Sequence, residues 1–307
     1  MSVLVAPVVM LGMLWVVPTG LGLLGGPRPP GWDALRRAWP FLAAPGALAL
    51  WLPRSGLSTA LAAVYALATL ALALQAPARL FLTRSLRPRE TAVLTALVAP
   101  SVAGLALVAE RAAYPLFGFD LELLALTVPH FHFAGFAAAL VAGLACRASD
   151  GPAARFAALS VPAGTLLVLA GYFVDDWAEL AGAVVLTAGM AAVAVLTLRE
   201  RRDLAADPLT RALLAVSAVV LVATMALALS WALGEATGLP HPSLTWMAAT
   251  HGLGNALGFA VCALLARRRL HLHLREARPA PRLPRPRAAQ SAPRLPHPHH
   301  RRTEIPA

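Results

Sequence analysis

Pro129-His130-Phe131-His132-Phe133-Ala134-Gly135-Phe136 sets two imidazoles into a run that is otherwise apolar from Leu123 to Cys146. A helix rises about 1.5 Å per residue, so a run of this length covers the roughly 30 Å hydrocarbon core of a bilayer. Ionisable groups at that depth are costly and rarely accidental, which makes the stretch both a span and a candidate site. A second stretch of the same kind, Thr250-His251-Gly252-Leu253-Gly254-Asn255-Ala256-Leu257-Gly258-Phe259, lies in the last long apolar run.

Outward from these two stretches the chain repeats the pattern. About nine apolar runs are counted as helical spans. They are Val3–Leu24, Trp39–Leu52, Leu57–Leu74, Ala92–Ala109, Leu123–Cys146, Phe156–Val174, Leu180–Leu198, Leu209–Leu233 and Leu244–Ala266. The second is short and carries Pro40, Pro45 and Gly46, so a tilted, broken or re-entrant segment is the alternative there. The first run lacks a basic amino-terminal region and a small-residue cleavage site, which reads as a retained span.

Composition agrees. With 58% hydrophobic and 13% charged residues among 307, the chain is too apolar for a soluble domain, whose charged share is roughly 25%. All 26 basic residues are Arg, and their placement tests the span count. Alternate loops hold Arg28, Arg36 and Arg37; Arg79, Arg84, Arg87 and Arg89; Arg147 and Arg155; then Arg199, Arg201, Arg202 and Arg211. The intervening loops hold only Arg54 and Arg111. Cytoplasmic loops are the Arg-rich ones, so the expectation is an all-α polytopic bundle, amino terminus outside and carboxyl terminus in the cytoplasm. A high isoelectric point could suggest nucleic acid, but no folded basic domain with interleaved aromatics supports that.

Two regions are expected: a transmembrane helical domain over 1–266 and an Arg-, Pro- and His-rich cytoplasmic tail over 267–307. The tail is too poor in apolar residues to offset chain entropy, so disorder is expected there. Its first cluster, Arg267-Arg268-Arg269, is expected to meet anionic lipid headgroups. Cys146 and Cys262 sit near the cytoplasmic ends of their runs, where a disulfide is not expected.

Entering from outside, His130 and His132 lie about 10–13 Å deep, and His251 reaches about the same level. Asn255 follows His251 by one helical turn on the same face. Two residues along a helix turn through about 200°, so His130 and His132 point to nearly opposite sides. Either Pro129 distorts the helix or each ring serves a different partner. Gly254 and Gly258 form a small-residue packing face. His130, His132, His251 and Asn255 are the candidate substrate or proton site, since histidine titrates near physiological pH. Asp175 and Asp176 form a candidate outer mouth that attracts cations or takes protons; the plainer reading is a hydrated helix end beside an interfacial Trp177. A membrane histidine can also simply hold two helices together. Glu110-Arg111 reads as a surface ion pair or a span boundary, and His241, between two prolines, as an exposed loop residue.

The run His130-Phe131-His132-Phe133-Ala134-Gly135-Phe136, with Thr250-His251-Gly252 and Asn255-Ala256-Leu257-Gly258-Phe259, resembles the YndJ-like family of bacterial integral membrane proteins. That resemblance implies a multi-pass, transporter-like protein of the bacterial plasma membrane and fixes no substrate. His130-Phe131-His132-Phe133 also looks like the His-Phe-His-aromatic run of haem-copper oxidases, in which two imidazoles on opposite helix faces ligate two haems. The chain lacks that family's adjacent His-His pair and its His-Pro-Glu-Val-x-Tyr-like motif. Three readings follow. The first is a transporter or permease-like protein in the lipid bilayer, with His130, His132, His251 and Asn255 lining a polar site for an unidentified small molecule or ion, reached from the outer face. The second is a redox or metal protein with His130, His132 and His251 as ligands for haem or a transition metal. The third is a non-catalytic membrane factor whose histidines are structural.

Overall fold

A computed structural model describes residues 4–149, 151–203 and 207–276. Among the described residues the regular structure is all helix, without strands, and forms nine consecutive rods. We label them α1 (Val5–Leu23), α2 (Trp32–Ala49), α3 (Gly56–Thr83), α4 (Pro88–Arg111), α5 (Leu121–Ala148), α6 (Pro152–Gly171), α7 (Asp176–Asp203) and α8 (Pro208–Thr237). The last rod, α9, opens with Leu244–Met247 and closes with Cys262–Glu276. Eight of the nine are long and apolar enough to cross a membrane. The exception is α2, whose first turns carry Asp33, Arg36 and Arg37.

That second rod nevertheless crosses the bundle. Pro40 and Pro45 lie inside one continuous helix. Its start follows Arg28, which pairs with Asp33, at the end where Arg79 holds the carbonyls of Gly25 and Pro27. Its finish lies at the other end, where Arg111 donates to the carbonyls of Ala49 and Leu52. Nine crossings therefore leave the two described termini at opposite ends of the bundle.

Each end is fastened by buried ions. At one end Arg79 is held by both oxygens of Glu90, at 2.8 and 3.1 Å, and Arg267 donates to Glu200 at 2.7 Å and to Thr197 at 3.3 Å. At the other, Glu110 is fully buried between Arg111 and Arg54, whose Nη2 lies 2.9 Å away. Of the two readings of Glu110-Arg111, a surface ion pair or a span boundary, the pair does close α4 but is an interior clamp, not a surface pair. It satisfies carbonyls at the α2 terminus that have no intrahelical partner.

Close approach is set by small residues. A Cβ on Gly164 of α6 would lie 2.5 Å from the Leu186 backbone, and one on Gly182 of α7 would lie 2.5 Å from the Val168 backbone. These two helices can touch only because neither position carries a side chain. The last helix runs past Ala266 to Glu276. Arg267 and Arg269 there pair with Glu200 and Asp207, and Arg268 is exposed. The tail from 277 to 307, for which disorder is expected, lies outside the described residues.

Candidate functional site

Both histidine stretches fall where the α-helix is locally widened into π-helix. In α5 the π segment is Phe131–Ala137, directly after Pro129-His130, and the Ala138 N–H reaches back five residues to Phe133 O. In α9 the π segments are Ala248–Gly252 and Gly254–Val261. A further one, Gly12–Val16, lies in α1, with the Val17 N–H bonded to Gly12 O. The three rods meet at these segments. Such bulges recur at functional sites because they re-aim side chains and leave carbonyls able to take extra partners. One is used here: Thr165 of α6 donates to Ala134 O as well as to Val161 O, at 3.4 and 2.9 Å.

The two neighbouring histidines part company, as the helical turn between them requires. His132 is fully buried and faces α1 and α3. Its Nδ1 lies 2.7 Å from Val128 O and its Nε2 lies 2.5 Å from the Tyr65 hydroxyl. A carbonyl can only accept, so the proton is assigned to Nδ1, and Nε2 accepts from Tyr65. The Tyr65 ring stacks on the imidazole at 5.9 Å and meets Trp39 edge-on at 6.2 Å; Trp39 in turn donates to Met13 O at 2.9 Å. A Cβ on Gly12 would come within 2.9 Å of the His132 Cβ and Cγ, so glycine is required there. Both nitrogens of His132 are thus spent inside the protein.

His130 faces the other way, into a cavity of about 560 Å³ walled by α1, α4 and α5 through α9. Its ring lies 6.0 Å from that of Phe131, and among the described residues neither of its nitrogens has a hydrogen-bond partner. His251 and Asn255 line the same cavity from α9. They form a polar cluster with Thr224 of α8. His251 Nδ1 donates to Thr224 O at 2.8 Å, the Thr224 hydroxyl donates to Asn255 Oδ1 at 2.8 Å, and Asn255 Nδ2 sits over the His251 ring, 3.1 Å from Nε2 and 3.5 Å from Nδ1. Gly254 and Gly258 permit that reach, because a Cβ on either would lie 2.6 Å from Thr224 or Val220. The small-residue face expected at this pair therefore packs on α8.

The structure thus brings His130, His251 and Asn255 to one cavity and sets His132 apart. Among the described residues no group of three His, Cys, Asp or Glu side chains is placed to hold a metal ion. Asp175 accepts from the Ala178 N–H at 2.8 Å and caps α7, and both Asp175 and Asp176 are exposed and lie off the cavity wall. Glu179, one turn further along, is the carboxylate that lines the cavity, with Tyr172 beside it. His241 is exposed, as expected, and pairs with Glu235 at 3.0 Å.

Sequence reasoning missed Tyr65, Thr224, Tyr172 and Glu179. A lone Tyr in an alanine-rich run and a Glu one turn past a helix start were the available signals. Neither specifies a partner. Searches of curated proteins and of solved structures found no match. A family profile described as YndJ-like protein matches residues 7–259, a span that takes in His130, His132, His251 and Asn255. The chain belongs to the YndJ-like family.

Proposed function

We propose that this YndJ-like chain is a permease-like protein of the bacterial plasma membrane whose binding site is the cavity around His130, His251 and Asn255. The observation that carries the reading is a void of about 560 Å³ at membrane depth, in which an imidazole without a protein partner faces a polar cluster. Pockets of this size hold small molecules. Polar groups at that depth mark pathways more often than packing. The Arg-rich end, with Arg79, Arg147 and Arg267, is read as cytoplasmic, which puts the amino terminus and the cavity's Phe117 and Phe173 on the outer side. His132 is read as structural.

Histidine suits coupling of uptake to protons, so proton flux into proteoliposomes, followed with an internal pH dye, tests this, the proton being the coupled ion and not the molecule held in the cavity. His130→Ala and His251→Ala abolish flux while the protein still inserts and folds. Loss of folded protein in parallel for positions 130, 132 and 251 makes all three structural instead. The haem or metal reading fits the donors poorly. His132 uses both nitrogens within the protein and His251 spends Nδ1 on Thr224 O, and among the described residues no group of three His, Cys, Asp or Glu side chains could hold a metal ion.

A further inference from the structure

We infer that the cavity takes a neutral, lipophilic molecule with a single hydrogen-bonding head, rather than an ion or a highly polar solute. This deepens the reading of the cavity as the binding site and rests on it. The wall is almost entirely apolar, contributed by side chains such as Leu105, Leu126, Phe133, Met190, Met225 and Phe259. Among the described residues Glu179 is the only Asp, Glu or Arg in it.

Those facts constrain the ligand from three sides. An anionic head placed there finds no counter-ion and loses its hydration uncompensated. A sugar-like solute needs many donors and acceptors, yet His251, Asn255 and Thr224 already spend most of theirs on one another. A cation could pair with Glu179, but that carboxylate sits with Tyr172 and would leave the open nitrogens of His130 unused. What remains is a small polar patch at the nitrogens of His130 and the Nε2 of His251, and a large apolar surface to cover. An alcohol or carbonyl on a hydrocarbon body meets both requirements, and a ligand of this kind can arrive from the bilayer.

The test uses the full chain in nanodiscs and 11-bromoundecanol, whose bromine quenches tryptophan; Trp231 lines the cavity. Saturable quenching, reversed by excess undecanol, is expected. His130→Ala should weaken it about tenfold, the loss of one hydrogen bond. Ala228→Phe, which fills the cavity from α8, should abolish it, and Ala248→Phe on α9 serves if that variant fails to fold. 11-Bromoundecanoate at pH 8 and 11-bromoundecylammonium should bind at least about tenfold more weakly. Equal or tighter binding of either charged probe, still lost in Ala228→Phe, overturns the ligand class and leaves the cavity reading standing. The absence of saturable quenching by the alcohol overturns the ligand class as well. Saturable quenching that survives both Phe variants places the molecule elsewhere and removes both readings.

Discussion

Replacing Tyr65 by Phe should destabilise the protein by about 1–3 kcal/mol, because it leaves a buried acceptor without a donor. His132 is fully buried, its Nδ1 proton is committed to Val128 O at 2.7 Å, and its Nε2 accepts from Tyr65 at 2.5 Å. Phe keeps the ring that stacks on the imidazole and removes only the hydroxyl, so cavity formation adds nothing to the loss. Phenylalanine on its own cannot supply a substitute donor. The magnitude therefore tracks desolvation of one nitrogen, at the upper end of what polar contacts between membrane helices return. His132→Leu alone should cost a similar amount by stranding the Tyr65 hydroxyl. In the double variant both polar groups are gone, so its destabilisation should fall below the sum by about 1–2 kcal/mol. Reversible unfolding in mixed micelles, run on all four proteins, measures the coupling. A strictly additive double variant, or a Tyr65→Phe protein as stable as the parent, would refute the assignment of His132 to the fold.

Three further outcomes follow from other parts of the bundle. Asn255→Ala removes the hydrogen bond from the Thr224 hydroxyl and the amide over the His251 ring, and a loss of about 1–2 kcal/mol in the same unfolding assay is expected. Gly258→Val pushes a side chain into Val220, which a Cβ alone would approach to 2.6 Å, so a loss of about 1–3 kcal/mol and a lengthened distance between spin labels on α8 and α9 are expected; unchanged stability and distance would contradict close packing there. Hydrogen bonds from the Thr210 hydroxyl and N–H, with Arg269 beside them, hold the Asp207 carboxyl well below the usual carboxylate range. A carboxylate depressed on folding stabilises the folded state above its unfolded pKa and ceases to do so as pH falls through its folded value. Exchange of the Thr210 amide should therefore stay slow at neutral pH and quicken only under strong acid, and Asp207→Asn should flatten that dependence.

Most of the helical architecture was legible because membrane depth imposes a coarse rule on sequence. Apolar run length and alternating Arg placed the rods, and alternation was the stronger signal at α2, where Pro40 and Pro45 argued for a break. The bundle tolerates both prolines because neighbouring helices hold the rod beside Pro40, through Trp39 to Met13 O, and at its finish, through Arg111 to Ala49 O. The opposed directions of His130 and His132 were legible from helical rotation alone. Their division of labour was not, since it depends on Tyr65, far away in sequence, and on the gap opposite Gly12. Spacing likewise put Asn255 one turn from His251 but could not supply Thr224, which bonds both from another helix. Glu110 and Arg111 misled for the same reason: adjacent opposite charges at a run's end look solvated until the turn after α2 folds over them.

The central claim is that the cavity beside His130 is a ligand site rather than a packing defect, and an experimental density map of the protein in nanodiscs tests it most directly. The account predicts an open cavity with density bridging His130 and the Asn255 side of the wall, and His132 still bonded to Tyr65. A collapsed cavity, with the His130 nitrogens bonded to neighbouring protein groups, would contradict it.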